Sequence, residues 1–434
     1  MEYTAMKQEK FTNQLVTFLS GSPTGFHAVE NVAERLTTAG FSLLSDRDSI
    51  RTDKPFFLNT GGAVIAVRPG TAHPADAGFR IAAAHTDSPG LRLKISGAHE
   101  ATGGIWAPVE VYGGPILSTW LDRELVFAGR AVVYDEGRPT NAYTIRPFRS
   151  ERAVAVIPNL AIHLNRDINK GFEYNAQDHM QARLALSADT SLTAEMRIRQ
   201  HVADCLGVSV EAVGTIEAYL VDPAPAVLLE DGNSLVSGRI DNLAGCFSCL
   251  DGFLEAAVSG PTQVLCLFDN EEIGSRTGSG ADSPMLDSVL RRLTISDDAE
   301  AWYRAVAASF IVSNDGAHAL HDLYAGKYDS SYAPVLGGGP VLKVNSQYRY
   351  ATTIMSMERT LQAARAVDIS LQTLAGRSDL RTGSTIGPIS WTRTGISTVD
   401  VGVPMLAMHS IREICDVRDV GALSGLVCSL LESE

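Results

Sequence analysis

Gln263-Val264-Leu265-Cys266-Leu267-Phe268-Asp269-Asn270-Glu271-Glu272-Ile273-Gly274-Ser275 changes character in one step, from a mostly apolar run to four polar residues, three of them acidic. The run is short, as strands buried on both faces are. Acidic groups at the mouth of such a strand are costly to hold unless something cationic sits there. Adjacent side chains on an extended chain point to opposite sides. Two neighbouring glutamates therefore suit two tasks: one ligates a metal ion, and the other takes a proton from the attacking water as general base. The ordinary alternative is a solvated loop.

On either side of this stretch, helical and strand patterns alternate. Residues 9–20 and 26–40 have helical apolar spacing, the second ending at Gly40. Ala63–Val67 and Phe79–Ala84 read as buried strands. After residue 236 come a helix at Asn242–Ala257, the strand Gln263–Phe268, helices near 284–292 and 300–309, and the strand Phe310–Val312. A helix around 352–366, a strand at Val367–Leu371, a helix at 384–394, a strand at Ile396–Val401 and a helix at 419–431 follow. This predicts an α/β fold with a mixed, largely parallel sheet flanked by helices. Between them, Gly, Pro and short β-rich runs (Val109–Tyr112, Arg130–Tyr134, Ala153–Ile157, Ile216–Val221) mark a mainly β insertion, with one charged helical stretch at Ser191–Leu206. The expected division is 1–95 with 236–434 as one discontinuous domain and 96–235 as the insertion.

In such sheets the chemistry lies beyond the carboxyl ends of the strands, and four further places satisfy that. His85-Thr86-Asp87 follows an apolar strand; His85 can ligate a metal through one ring nitrogen while Asp87 accepts the other N–H. Asp241 stands just before an apolar helix, where it is either an N-cap or a carboxylate bridging two cations. Asp315 follows Phe310-Ile311-Val312, with His318 and His321 three apart behind it, either a metal pair or packing groups. His409 follows an apolar run near the end. Taken singly, each of these four reads as readily as an ordinary structural residue. Together they supply His, Asp, Glu, Asp and His without thiolate, a donor set that suits zinc, with manganese or cobalt as alternatives.

Composition sets limits on partners. The chain has 434 residues, 45% hydrophobic, and a formal net charge of −14, which argues against nucleic acid or anionic membrane as partner. No apolar run approaches the roughly 18–20 residues of a membrane span, and the polar start MEYTAMKQEKFTNQL lacks a signal core. Six scattered cysteines suit free thiols in a reducing, cytoplasmic setting. Cys246 and Cys249 form a C-x-x-C, but inside an apolar helical run with no second pair at zinc spacing, so burial rather than metal or redox chemistry is expected.

The words AAAHTDSPGLRLK, IPNLAIHLNRDIN, GRIDNLAGC, DNEEIGS, KVNSQYRYAT, GSTIGPIS and AMHSIRE occur in this order from residue 82 to 413. With Ser22-Pro-Thr-Gly-Phe-His-Ala28 they make the chain resemble, nearly end to end, the aspartyl aminopeptidases among the cocatalytic dizinc exopeptidases. The resemblance implies a zinc-exopeptidase-like catalytic domain and two zinc ions. One would be held by His85 and Glu272 or its neighbours and the other by Asp315 and His409, with Asp241 bridging, Glu271 as general base and Asp87 as orienting residue. It further implies that the insertion is PDZ-like and drives dimerisation, that dimers assemble into a dodecamer, and that His163 enters a partner's active site. Lys343 would meet the acidic side chain of an N-terminal Asp or Glu. Arg349 in QYRY is a further cation there, or only a brace for the loop. The chain departs from the family at His321-Asp322-Leu323-Tyr324, where H-P-N-Y is usual, and at Thr382, where a cysteine is.

The expected function is hydrolysis of the N-terminal peptide bond of peptides that begin with Asp or Glu. The competing readings are a dizinc aminopeptidase of broader specificity, a carboxypeptidase or amidohydrolase on the same centre, and a non-catalytic metal-stabilised assembly protein.

Overall fold

The computed structural model describes residues 2–50, 53–101, 104–135, 142–186, 191–295 and 298–434. The chain divides into two compact units, one of residues 1–87, 226–408 and 413–434, the other of 88–225 and 409–412. The sequence boundaries at 95 and 236 thus move to 87 and 226. A four-residue return, His409–Arg412, also belongs to the second unit, which no composition shift announced.

The main sheet of the first unit has nine strands: Ser42–Leu44 (β1), Phe56–Asn59 (β2), Val64–Arg68 (β3), Phe79–His85 (β4), Thr262–Phe268 (β5), Phe310–Asn314 (β6), Val341–Val344 (β7), Gln372–Ala375 (β8) and Ser397–Gly402 (β9). Their order across the sheet is β1-β2-β3-β5-β4-β6-β9-β7-β8. The central neighbours β5, β4, β6 and β9 are parallel, whereas β2–β3, β3–β5 and β9–β7 are antiparallel. The sheet is mixed and largely parallel.

Alternation along the central strands explains why they read as continuous apolar runs. Ala82, Ala84, Leu265, Leu267 and Val312 join one core with Leu15, Val32, Phe247, Phe253 and Leu426 from helices on that face. Ile81, Ala83, Val264, Cys266 and Ile311 join another with Leu286, Val289 and Ile386 from helices on the other face. Both faces are covered, so no polar side is needed. Truncating a buried phenylalanine such as Phe253 to alanine should cost about 3–5 kcal/mol.

Two expectations fail in instructive ways. Val367–Leu371 is not a strand. The helix Ile354–Ala366 ends there, Asp368 takes a left-handed φ of 55°, and the N–H of Ile369 returns to the Ala364 carbonyl. Ile369 and Leu371 are apolar because they pack back onto the main core, and β8 begins only at Gln372. Conversely, β7 was missed because Lys343 interrupts its apolar run, yet Lys343 is only 2% exposed. Gly40 ends its helix as expected, at φ 88°.

The second unit is an eight-stranded sheet whose pairings are all antiparallel. It carries the helix Ala194–Leu206, capped by the Thr193 side chain and ended by Gly207 at φ 65°. Ile198, Val202 and Leu206 line one stripe of that helix and pack with Leu91, Phe127, Phe148 and Leu220. Its first strand, Gly90–Leu93, pairs with its last, Val213–Val221, through Leu91↔Leu220.

Candidate metal centre

Three adjacent parallel strands deliver the site. His85 closes β4 and lies opposite Phe268, the last residue of β5. Thr86 extends that pairing, its N–H donating to the Phe268 carbonyl at 2.8 Å. Asp315 follows β6 directly, its N–H donating to the Val401 carbonyl at 3.0 Å. The carboxyl ends of β5, β4 and β6 therefore present Glu271-Glu272, His85 and Asp315 side by side.

His85 is 1% exposed. Its Nδ1 lies 3.1 Å from the Asp87 carbonyl oxygen and 3.4 Å from Asp87 Oδ1. Its Nε2 lies 3.4 Å from Asp315 Oδ1 and 3.5 Å from Asp241 Oδ1. With the Nδ1 proton given to Asp87, a lone pair on Nε2 would face two carboxylates and be repelled. The arrangement demands a cation between them, a proton or a metal ion. Burial works to lower the His85 pKa, but the carboxylates of Asp241, Asp315 and Asp87 overcome it and raise it well above the usual imidazole value.

Asp241 and Asn242 break the first turn of the helix Ile240–Glu255 with non-helical φ/ψ of −81°/107° and −121°/31°, and Arg239 before them is left-handed at φ 61°. The helix begins with irregular backbone because Asp241 is turned into the cluster. Glu413, 1% exposed, accepts the Asp241 N–H at 3.1 Å, and Asn242 Nδ2 donates to the Asn314 carbonyl at 2.7 Å. A Cβ at Gly316 would come within 3.3 Å of Met405, Met408 and Asp241, so a larger residue there would push on the cluster.

Asp87 performs a second task that sequence reasoning did not foresee. Its two carboxylate oxygens accept the backbone N–H groups of Glu271 (3.0 Å) and Glu272 (3.1 Å). One carboxylate thus fixes both the imidazole and the glutamate pair. The preceding Asn270 is left-handed at φ 62°, which turns the chain sharply out of β5. Burial raises both glutamate pKa values. That of Glu271 reaches about 8, with Asp315, Asp241 and Asp87 adding to the rise and His85 opposing it; that of Glu272 goes well above the carboxylate range.

Lys343 is no surface lysine. Its Nζ lies 3.6 Å from Asp315 Oδ2 and 5.4 Å from the centre of the Tyr350 ring. Burial pulls its pKa down, but Asp315 and its neighbours more than restore it, so the ammonium is kept. Asp400, fully buried on β9, accepts from Ser313 Oγ at 2.6 Å, Thr385 Oγ1 at 2.8 Å and the Ala351 N–H. Asp400 was missed because it sits among apolar residues of β9, where only its isolation was a signal; Glu413, the last residue of AMHSIRE, was given no role.

His85, Asp241 and Asp315 can bring one ligand atom each within 4.8 Å of one another, as can His85, Glu271 and Glu272. Asp315 thus shares a cluster with His85, the residue that the resemblance allots to the other ion. Imidazole and carboxylate donors without thiolate fit zinc. Cys246 and Cys249 stay out of it. The Cys246 thiol donates to the His85 carbonyl at 2.9 Å and the Cys249 thiol to that of Ala83 at 3.7 Å, and burial pushes the Cys249 pKa up to about 12. They pin helix to β4 as thiols. His318 and His321 share no helical face: His318 lies in the short strand Ala317–His318, and the His321 ring packs on Tyr324 at 4.8 Å.

Two predicted residues lie in the second unit. His409, at φ 66°, has Nδ1 3.0 Å from the Gly114 carbonyl. Donating the proton there leaves the lone pair on Nε2, the tautomer a metal ligand needs. His163 is exposed in a turn at 162–164, not in a strand. Its neighbours Leu160, Ile162 and Leu164 are 59%, 49% and 75% exposed.

Residues 18–428 match the family model described as aminopeptidase I zinc metalloprotease (M18). The chain belongs to the M18 aminopeptidase family. It is a zinc metallo-aminopeptidase, a hydrolase. A probable M18 family aminopeptidase 2 of Pseudomonas aeruginosa strain UCBPP-PA14 is 38% identical over 419 residues, covering 94% of this chain and 95% of the relative. That of Pseudomonas entomophila is 37% identical over 424 residues, covering 96% and 97%. Among solved M18-like structures, Ape4 in its complex with Nbr1 superposes with a TM-score of 0.93 at 31% identity, over 98% of this chain and 86% of that one. The S. cerevisiae mApe1 dodecamer gives 0.84 at 25% identity, over 96% and 95%. An M18 aminopeptidase from Thermotoga maritima shares the fold, with a TM-score of 0.85 at 21% identity over 99% and 97%. No helix among the described residues is long and apolar enough to cross a membrane.

Proposed function

We propose that this M18 enzyme carries two zinc ions and releases N-terminal aspartate or glutamate from peptides. The observation that carries the acidic preference is Lys343, a buried ammonium held against Asp315 at 3.6 Å. A buried ammonium beside the cluster offers a second carboxylate, that of the substrate, a charged partner which an apolar side chain would not supply.

His85, Asp241, Glu272, Asp315 and His409 are the proposed ligands. The clusters around His85 and the tautomer of His409 support that set, and the excess of carboxylates supports two divalent ions rather than one. Bound zinc supplies Lewis-acid polarisation of the scissile carbonyl and a more acidic attacking water. Glu271 takes the proton from that water and returns it to the leaving amine. Asp87 holds the Glu271 backbone and the His85 ring in register, and the carboxylate cluster meets the free α-amine. The insertion is read as a PDZ-like dimerisation domain whose His163 serves the site of a second copy. A dodecamer, as for the S. cerevisiae neighbour, and a cytoplasmic setting, supported by six free cysteines, complete the proposal.

The test is a panel of Asp, Glu, Leu and Lys p-nitroanilides. The native enzyme should favour the acidic pair. Lys343→Met should lower kcat/KM for Asp about 100-fold, the scale of an unpaired buried charge of ~3 kcal/mol, with little change for Leu. Equal native rates on Leu and Asp would remove the acidic preference and leave the aminopeptidase intact.

A further inference from the structure

A cavity of about 820 Å³ opens where the chain leaves β7. Arg349, Arg377 and Arg381 wall it, and no Asp or Glu does. In a chain with 50 acidic and 36 basic residues, a concave site with three guanidinium groups and no carboxylate selects for negative charge.

The three arginines are not equivalent. Arg377 is committed to the wall, bound through two contacts of 2.9 and 2.8 Å to Asp379 and by a third to the Gly326 carbonyl. Among the described residues, no side chain or carbonyl pairs with the guanidinium of half-buried Arg349 or exposed Arg381. The helix Ile354–Ala366 also starts in this wall, with no acid in its first turn to compete for an anion. Two of the three guanidinium groups lining the cavity are thus left for a ligand.

The wall segment is shared with the metal side. It begins at Val344, directly after Lys343, and Arg349 is followed by Tyr350, whose ring lies against the Lys343 ammonium. Arg349 follows Lys343 by six positions, so the two lie within about 20 Å, the reach of an extended peptide of about six residues.

We propose that this arginine-walled cavity is a second substrate subsite, which takes the side-chain carboxylates of acidic residues downstream of the scissile bond. The proposal rests on the acidic aminopeptidase reading and extends it from the first residue of the peptide to its tail. Guanidinium groups suit the task because they present paired donors to a carboxylate and stay charged.

The experiment compares Asp-Ala-Ala-Ala-Ala-amide with Asp-Ala-Ala-Glu-Glu-amide on the zinc-loaded full-length enzyme. The acidic-tailed peptide should show about tenfold higher kcat/KM, carried by KM and shrinking as NaCl is added. In the R349Q/R381Q double variant the ratio of the two peptides should fall to near one, and R349K/R381K should restore part of it. The ratio is internal to each preparation, so incomplete folding cancels. A native ratio at or below one, or a ratio unchanged in the double variant, would overturn the proposal. Pyrophosphate provides the last arm. Inhibition confined to the acidic-tailed peptide supports the subsite, whereas altered turnover of Asp p-nitroanilide, which is too short to reach the cavity, makes it a small-anion effector site instead. Absence of Asp release from both peptides would overturn the parent reading and this one with it.

Discussion

His85 and His163 belong to different units and live in opposite surroundings. The first is buried at a strand end, every polar neighbour fixed at a stated distance; the second stands exposed in a turn between exposed leucines and an isoleucine. The first unit can assemble chemistry from its own strands. The turn around His163 exposes apolar surface, which contact with another copy would cover. Under the proposed role, the site that His163 serves lies in a second copy.

That contrast can be broken by mutation. Glu271→Gln should lower kcat about 10³-fold with zinc content unchanged, measured by turnover and metal analysis, whereas His85→Ala should lose metal along with activity. A Glu271→Gln enzyme that keeps full turnover would remove the base assignment. His163→Ala should cost less, about 10²-fold in kcat, with ligands intact. Mixed oligomers of His163→Ala and Glu271→Gln should regain measurable activity, because some sites then combine an intact base with an intact donor from the neighbour. No recovery in verified mixed particles would confine His163 to its own chain.

The smallest effect concerns Asp419, away from both histidines. It is 1% exposed and accepts the N–H groups of Gly337 and Gly339 at 2.7 and 2.8 Å, yet burial holds its pKa up at about 6. A carboxyl whose folded pKa exceeds its unfolded value contributes most below the unfolded value and loses that contribution as pH rises through the folded one. The Tm of the native enzyme minus that of Asp419→Asn should therefore become more negative between about pH 4 and pH 7. A flat difference would show that the two glycine N–H bonds fully offset the burial.

The sequence carried much of the site because acidic and imidazole groups directly after apolar runs leave a visible edge. His85-Thr86-Asp87, Glu271-Glu272 and Asp315 stand at such edges, and the structure gathers them with Asp241. It could not show that Asp241 and Asn242 break the first turn of their helix, where the Asp241 N–H meets Glu413 and the Asn242 amide meets the Asn314 carbonyl, both from distant strands. Lys343 hid the strand it stands on because its partner, Asp315, becomes a neighbour only through the fold. Asp400 lies deep in β9 and acts on loops at 351 and 385 that no local pattern connects to it. Contacts divide the chain nearer to 87 and 226, which assigns Gly90–Leu93, with its exposed Arg92, to the second unit as its first strand.

That first strand has a further consequence. Asp87 and Glu271 are 184 residues apart in the chain, a separation that would make their union slow and entropically costly if everything between them were slack. But Leu91 is paired with Leu220, so once the insertion has folded on its own core its two ends emerge side by side. To the growing β4–β5 ladder, well over a hundred residues then count as a short connection. The order of assembly follows: the insertion first, the neighbouring strands next, and the metal ligands last. In refolding experiments, peptide hydrolysis should return after the bulk of the β signal, and an insertion destabilised at Leu220 should slow the recovery of a catalytic centre that contains none of its mutated residues.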